Sequence, residues 1–210
     1  MTDDEHLRVV RERFDDRAPT YDESAMHRGL AAAVAAFADL DGVEAVLDVA
    51  TGTGLVLRAL RDRGYDGSAA GVDLAPRMID EARRHLPEAD LLVGDATRLP
   101  FADDTFDLAT CVTGLQLFPD PGAAIAEWAR VLRPGGRAIT ATFLAFDRSR
   151  HQAAPPPAFI DHIPFDSVEH LSATVAPAGF AVGRTDTWTD GADEVLIAEL
   201  TRSAEASVTP

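Results

Sequence analysis

The stretch VLDVATGTG, Val46 to Gly54, decides the fold. It closes VEAVLDV, an apolar run of strand length, and passes into LVLRALRDRG, a helical run that Gly64 ends. Between them Gly52 and Gly54 let the backbone turn sharply, come close to a ligand and enter the helix. The first turn of such a helix exposes N–H groups that no carbonyl satisfies, and these attract an anionic group. Strand, glycine turn and helix in this order make one half of a βαβ unit.

Outward from this unit the alternation continues. AAGVD is a second strand, and Pro76 suits the first turn of the helix PRMIDEARRHL. ADLLVGD is a third strand, and FDLATCVTG a fourth, apolar enough to be covered on both faces. The helix AAIAEWARVL follows, closed by Arg133, Pro134, Gly135 and Gly136, and RAITATFLAF is a fifth strand. Such alternation marks a parallel sheet with helices on both faces. Upstream, a charged helical segment, the turn-rich join APTYDESAMHRG and the small-residue helix GLAAAVAAFADL form an N-terminal cap. Downstream, Asp147 to Phe165 breaks the rhythm with Pro155–Pro157 and reads as an ordered loop or lid. A helix from Ser167 to about Ala176 and two strands, AGFAVGRTDTW and ADEVLIAEL, complete the chain, the last strand reversed; SAEASVTP frays. The expectation is one α/β domain over 1–210 on a mostly parallel seven-stranded sheet. It divides into a helical cap (1–40), a binding core (41–142), a lid (143–165) and a C-terminal helix and hairpin (166–202).

The glycine turn is shared by dinucleotide sites and S-adenosylmethionine (SAM) sites. A dinucleotide fingerprint wants Gly or Ala at position 57, where this chain has Leu57. The acidic Asp48 just before the turn suits SAM, whose ammonium and sulfonium favour a nearby negative charge while its carboxylate suits the helix end. Asp73 ends the second strand, about 25 residues on, where a carboxylate can accept both ribose hydroxyls, although it could equally cap the next helix. Asp95 ends the third strand. Ligands of open α/β sheets sit beyond the carboxyl ends of the strands, so these carboxylates converge on one crevice.

VLDVATGTG, GVDLAPRMI, GDATRLPFADDTFD and LRPGG, in this order and spacing, resemble the class I SAM-dependent methyltransferases, in particular the ubiquinone and menaquinone C-methyltransferase group. FDDRAPTYD is similar to that group's N-terminal entry. The resemblance implies a Rossmann-like fold and SAM as cofactor, with S-adenosylhomocysteine as product. By position it implies that Ala50, Thr51, Gly52 and Gly54 wrap the methionine moiety and Asp48 holds its amino group. Asp73 takes the ribose, Leu74 and Met78 line the adenine, and Asp95 and the Ala96 N–H bond its edge. Tyr21 closes over the cofactor. Many relatives carry Gly at the position of Ala50. The stretch VTGLQLFPD lies beside the methyl donor, which makes Thr113, Gln116 and Phe118 candidates for the substrate side. Relatives often have a His pair where this chain has Leu115 and Gln116, so no base carries over.

Methyl transfer from a sulfonium rests on proximity and alignment, and a base is needed only if the acceptor loses a proton. The candidates are His27, His151, His162, His170 and Asp161; His162, beside Asp161 and the apolar lid, is tested first. Phe143, Phe146, Phe159 and Phe165 favour a small apolar or aromatic acceptor. Acidic residues outnumber basic ones, 35 to 19, for a formal charge of −16, and every basic residue is Arg. That field repels phosphate backbones and anionic membranes; the acidity reads as solubility, and the missing lysines also permit adaptation to salt. With Cys111 alone no internal disulfide forms, and no thiolate metal site can be built. There is no signal-like core or apolar span, so a cytoplasmic monomer or homodimer is expected. Two rivals stand beside the methyltransferase: an NAD(P)-dependent oxidoreductase, and a SAM-binding regulatory module or cyclase that does not methylate.

Overall fold

The computed structural model describes residues 2–144, 160–191 and 193–202. Phe146, His151, Phe159, Pro155–Pro157, most of the expected lid and the tail from Ser203 lie outside the described residues.

The chain opens with α1 (Asp3–Arg17), a 3-10 segment (Ala18–Glu23) and α2 (Ala25–Phe37). The alternating part follows: β1 (Ala45–Val49), α3 (Leu55–Asp62), β2 (Ser68–Asp73), α4 (Pro76–His85), β3 (Asp90–Val93), β4 (Phe106–Val112), α5 (Pro121–Val131) and β5 (Leu132–Leu144). Last come α6 (Val168–Val175), β6 (Phe180–Thr189) and β7 (Glu194–Arg202). The sheet has seven strands in the order β3-β2-β1-β4-β5-β7-β6. β1 to β5 are parallel, and β7 runs antiparallel to both β5 and β6. The C-terminal strand is thus the reversed one, and it sits inside the sheet rather than at its edge.

Strand alternation builds one core on each face. Leu47 and Val49 of β1 pack with Ile125 and Trp128 of α5 and Leu171 of α6. Val46 faces Leu30 and Val34 of α2, Leu57 and Leu60 of α3, and Ile79 of α4. Each such side chain contributes about 1.5–3 kcal/mol on burial, which fixes the register and with it the positions of the strand ends. β1 and β4 are neighbours although β2 and β3 intervene in sequence, so the order reverses between them. A crevice opens at this switch point, at the carboxyl ends of the strands.

Two boundaries differ from the sequence reading. α2 begins at Ala25 rather than Gly29, because the Ser24 hydroxyl accepts from the His27 N–H and caps it there. Gly29 lies inside the helix where a Cβ would come 3.1 Å from the Trp188 ring, so its role is close packing. β5 begins at Leu132 rather than Arg137: Leu132 pairs with Phe106 and the next pair is Arg137 with Leu108, so Arg133 to Gly136 bulge from a continuing strand. Arg133 is held at the bulge by Asp107, 2.6 Å away.

Candidate active site

The crevice floor is made by the turn that follows β1. Ala50 (φ 56°), Gly52 (φ 56°) and Gly54 (φ 80°) all take left-handed conformations, a geometry that costs an alanine about 1–2 kcal/mol. The Thr51 N–H donates to the Val72 carbonyl at 3.0 Å, curling the turn over β2. Gly54 caps the start of α3 at φ 80°, a conformation that favours glycine, and it packs beside Leu86 and Ala82 at the end of α4. Thr113, just after β4, is also left-handed (φ 52°) and faces the turn across the crevice. Strained non-glycine backbone gathered at one ligand-sized opening points to function.

Three carboxylates stand on this floor. Asp48 is buried, its oxygens accepting from the hydroxyls of Thr110 (2.6 Å) and Thr51 (2.7 Å). Removal from water pushes its carboxyl up to about 6, against the lowering pull of both hydroxyls; the Asp73 charge adds to the rise. Asp73 accepts from the N–H groups of Gly52 (2.8 Å) and Ala75 (2.9 Å). Desolvation likewise raises it to about 6, opposed by those amides. Asp95 is ordered by Thr97, whose N–H and hydroxyl both donate to Oδ1 at 2.9 Å. The Gly94 N–H donates to the Asp73 carbonyl, joining the two strand ends.

Above the floor lies a cleft whose empty space, counted with the solvent it opens to, is about 730 Å3. Tyr21, Ala50, Gly52, Asp73, Leu74, Met78, Asp95, Ala96, Thr113 and Phe118 all line it. A smaller cavity of about 390 Å3 shares Tyr21, Ala50, Gly52 and Thr113 with the cleft and adds Asp48, Thr51 and His27. Gly54 lines neither and serves the packing of α3. Gln116 also lines neither: it is buried, its Nε2 donates to the Thr113 carbonyl at 2.6 Å, and its Oε1 has no partner among the described residues. His162 lies edge-on to the Phe143 ring, 5.8 Å between centroids, outside both cavities. Its neighbour Asp161 donates its N–H to the Gln116 carbonyl, so this segment docks behind the β4 loop. His170 is exposed on α6 and pairs with Asp166 at 2.7 Å, which raises its pKa.

The sequence reading expected an N-terminal cap with Tyr21 over the cofactor, but not the α1 residues that roof the cleft. Leu7, Val10 and Phe14 of α1 line it opposite the carboxylates. Three polar residues pin the N-terminal segment down. His6 donates from Nε2 to the Leu117 carbonyl at 2.8 Å, Asp15 accepts from the Arg77 N–H at the start of α4, and Asp22 holds both the Thr53 hydroxyl and Arg58. Tyr21 stacks on His27 (4.1 Å between centroids, 13° between planes) with the Arg17 guanidinium 5.3 Å from its ring. Burial pushes the Tyr21 phenol up to about 12.

With this geometry the chain matches known proteins. Residues 47–140 match the family described as a methyltransferase domain. The demethylmenaquinone methyltransferase of Deinococcus radiodurans is 38% identical over 160 residues, covering 71% of this chain and 62% of that protein. This chain therefore spans about three-fifths of the length of that relative. A putative methyltransferase of Haloferax volcanii, solved in complex with the Trm112 methyltransferase activator, superposes with a TM-score of 0.78 at 25% identity, covering 91% of this chain and 96% of that one. The magnesium protoporphyrin IX methyltransferase of Synechocystis with bound SAM shares the fold, with a TM-score of 0.69 at 20% identity over 94% of this chain and 97% of that one. Residues 47–140 thus match a methyltransferase domain family, on a seven-stranded fold shared with solved methyltransferases, in a chain that is similar to the demethylmenaquinone methyltransferases.

Proposed function

We propose that this chain binds SAM across the two cavities and transfers its methyl group to a small apolar or aromatic molecule. The observation that carries the reading is the row of carboxylates at successive strand ends, with Asp48 buried and Asp73 half-buried at the switch point. Beyond the hydroxyls and amides that already meet them, these carboxylates keep lone pairs for further donors. An ammonium, a sulfonium, two vicinal ribose hydroxyls and an exocyclic amine, all on one ligand, answer this set of acceptors. Asp73 would hold the ribose, Asp95 and the Ala96 N–H the adenine edge, and Leu74 and Met78 its faces. Ala50, Thr51 and Gly52 would wrap the methionine part, with Asp48 drawing its ammonium.

When bound, the cofactor supplies a methyl group already activated on a positive sulfur. What is left to the protein is alignment and the exclusion of water. Tyr21, Phe14 and Leu7 would shed water from above. The apolar wall of Leu117, Phe118 and Pro119 beside Thr113 would receive the acceptor. Gln116 and His162, the candidates for the acceptor side, line neither cavity, so the reading assigns the acceptor no base and rests the transfer on alignment. The relative in Deinococcus is named for demethylmenaquinone, which agrees with an apolar acceptor. The test is turnover of the full chain with SAM and a panel of hydroquinones and phenols. The account expects acceptor-dependent formation of S-adenosylhomocysteine. Tight SAM binding without turnover on any acceptor would favour a SAM-binding protein that does not methylate.

A further inference from the structure

The helix that roofs the cleft carries two cations that its own acids do not neutralise. Arg8 of α1 pairs with Glu12 one turn on. Arg13 and Arg17 also stand one turn apart, but there the charges are alike, an arrangement that destabilises a helix. Burial, then the Arg17 charge, lowers the Arg13 pKa. Among the described residues neither guanidinium has a carboxylate partner, in a chain with 35 acidic residues to 19 basic. Nothing within the fold offsets this repulsion.

Their place on the helix is the second observation. His6, Val10, Arg13 and Arg17 follow at steps of four, three and four, which is one stripe of the helix surface. His6 and Val10 are its buried part, and Val10 lines the cleft. Arg17 continues the stripe, its guanidinium 5.6 Å from the Phe14 ring and 5.3 Å from the Tyr21 ring, both of which line the cleft. The charged groups that line the cleft itself, Asp73 and Asp95, are acidic.

We propose that Arg17, with Arg13 beside it, recognises a carboxylate on the methyl acceptor, which is then an aromatic acid. The inference rests on the SAM reading given above and names its acceptor class. Neighbouring guanidiniums offer a carboxylate paired N–H donors in its own plane. The Phe14 and Tyr21 rings offer the apolar body of the same molecule a face to lie on. The field of a chain of charge −16 turns organic anions away. A local pair of cations is what lets one approach.

The test is calorimetry on the full chain saturated with S-adenosylhomocysteine, with 2-naphthoate and 2-naphthamide as probes, one ring with and without the charge. Wild type should bind 2-naphthoate about tenfold more tightly, and added salt should narrow the gap. Arg17→Gln should close most of the gap and leave 2-naphthamide unchanged. Arg17→Lys, which keeps the charge without the fork, should retain part of it. Arg13→Gln, which leaves the Arg17 contacts with both rings in place, should narrow it by less. Affinity for S-adenosylhomocysteine should stay within about twofold in all three variants, well under the loss of one hydrogen bond to a charged group. Wild type that binds 2-naphthoate no better than 2-naphthamide overturns the inference, and so does inorganic phosphate binding as tightly as 2-naphthoate, the mark of an adventitious ion only. An Arg17→Gln chain that loses S-adenosylhomocysteine in step with 2-naphthoate gives Arg17 to the cofactor and overturns it as well. Wild type that takes up no S-adenosylhomocysteine overturns the SAM reading and this inference with it.

Discussion

The floor of the cleft is sheet and its roof is helix, and the two are held in place by different means. Asp48, Asp73 and Asp95 leave adjacent parallel strands whose register is locked by backbone ladders and by an apolar core on each face. The roof, from α1 to the start of α2, rests on Leu7, Val10 and Phe14 and on a few side-chain contacts through His6, Asp15 and Asp22. Moving the floor means breaking the fold. Lifting the roof means breaking a handful of partly exposed hydrogen bonds, each worth about 0.5–1.5 kcal/mol. A cofactor that must enter and leave is better served by a roof of that kind, and chemistry that needs alignment by a floor of the other.

The two halves should answer mutation differently. Asp73→Ala removes the proposed ribose acceptor and frees the Gly52 and Ala75 amides together. Affinity for S-adenosylhomocysteine should fall about a hundredfold or more, consistent with losing more than one hydrogen bond to a charged group, while the circular dichroism spectrum stays that of a folded chain. Acid should act on the same floor. Asp48 and Asp73 titrate near 6 in the free protein, so each gains a proton as pH falls through that value. A cationic ligand holds them ionised, so SAM affinity should be full above about pH 7 and drop by up to about tenfold per pH unit per group below 6. Asp48→Asn should make that profile shallower, and calorimetry from pH 5 to 8 reads both.

A roof substitution should be milder and show in rates. Asp22→Ala frees Thr53 and Arg58 at a pair about a third exposed. The expected change is about 1 kcal/mol, seen as roughly fivefold faster release of S-adenosylhomocysteine in stopped flow, with the thermal midpoint nearly unmoved. The smallest effect belongs to Ala50. Glycine relieves the left-handed strain but adds freedom to the unfolded chain, so Ala50→Gly should stabilise by less than about 1 kcal/mol in urea unfolding.

The floor was legible in the sequence because each of its parts is local. A strand, two glycines and a helix lie side by side in VLDVATGTG, and the acids that close the next two strands follow the same grammar. Placing them on one crevice needed only the rule for parallel crossovers. A cap with Tyr21 was legible in the resemblance, but the contacts that hold it were not, because its partners are far apart in the chain. His6 meets Leu117, Asp15 meets Arg77 and Asp22 meets Arg58, and an acidic helix such as DDEHLRVVRERFDD reads as a solvated face until its partners are known. The β5 bulge was missed for a similar reason: Pro134 and two glycines look like a stop, yet Leu132 still pairs with Phe106. Gln116, offered for the substrate side, turns its amide inward to the Thr113 carbonyl. No periodicity announces which way a lone polar residue in a loop will face.

The most direct test is an equilibrium titration of the purified full chain with S-adenosylhomocysteine and, in parallel, with NADH. The account predicts saturable one-to-one uptake of S-adenosylhomocysteine and no uptake of NADH. Binding of NADH, or no heat with S-adenosylhomocysteine at millimolar ligand, would contradict it.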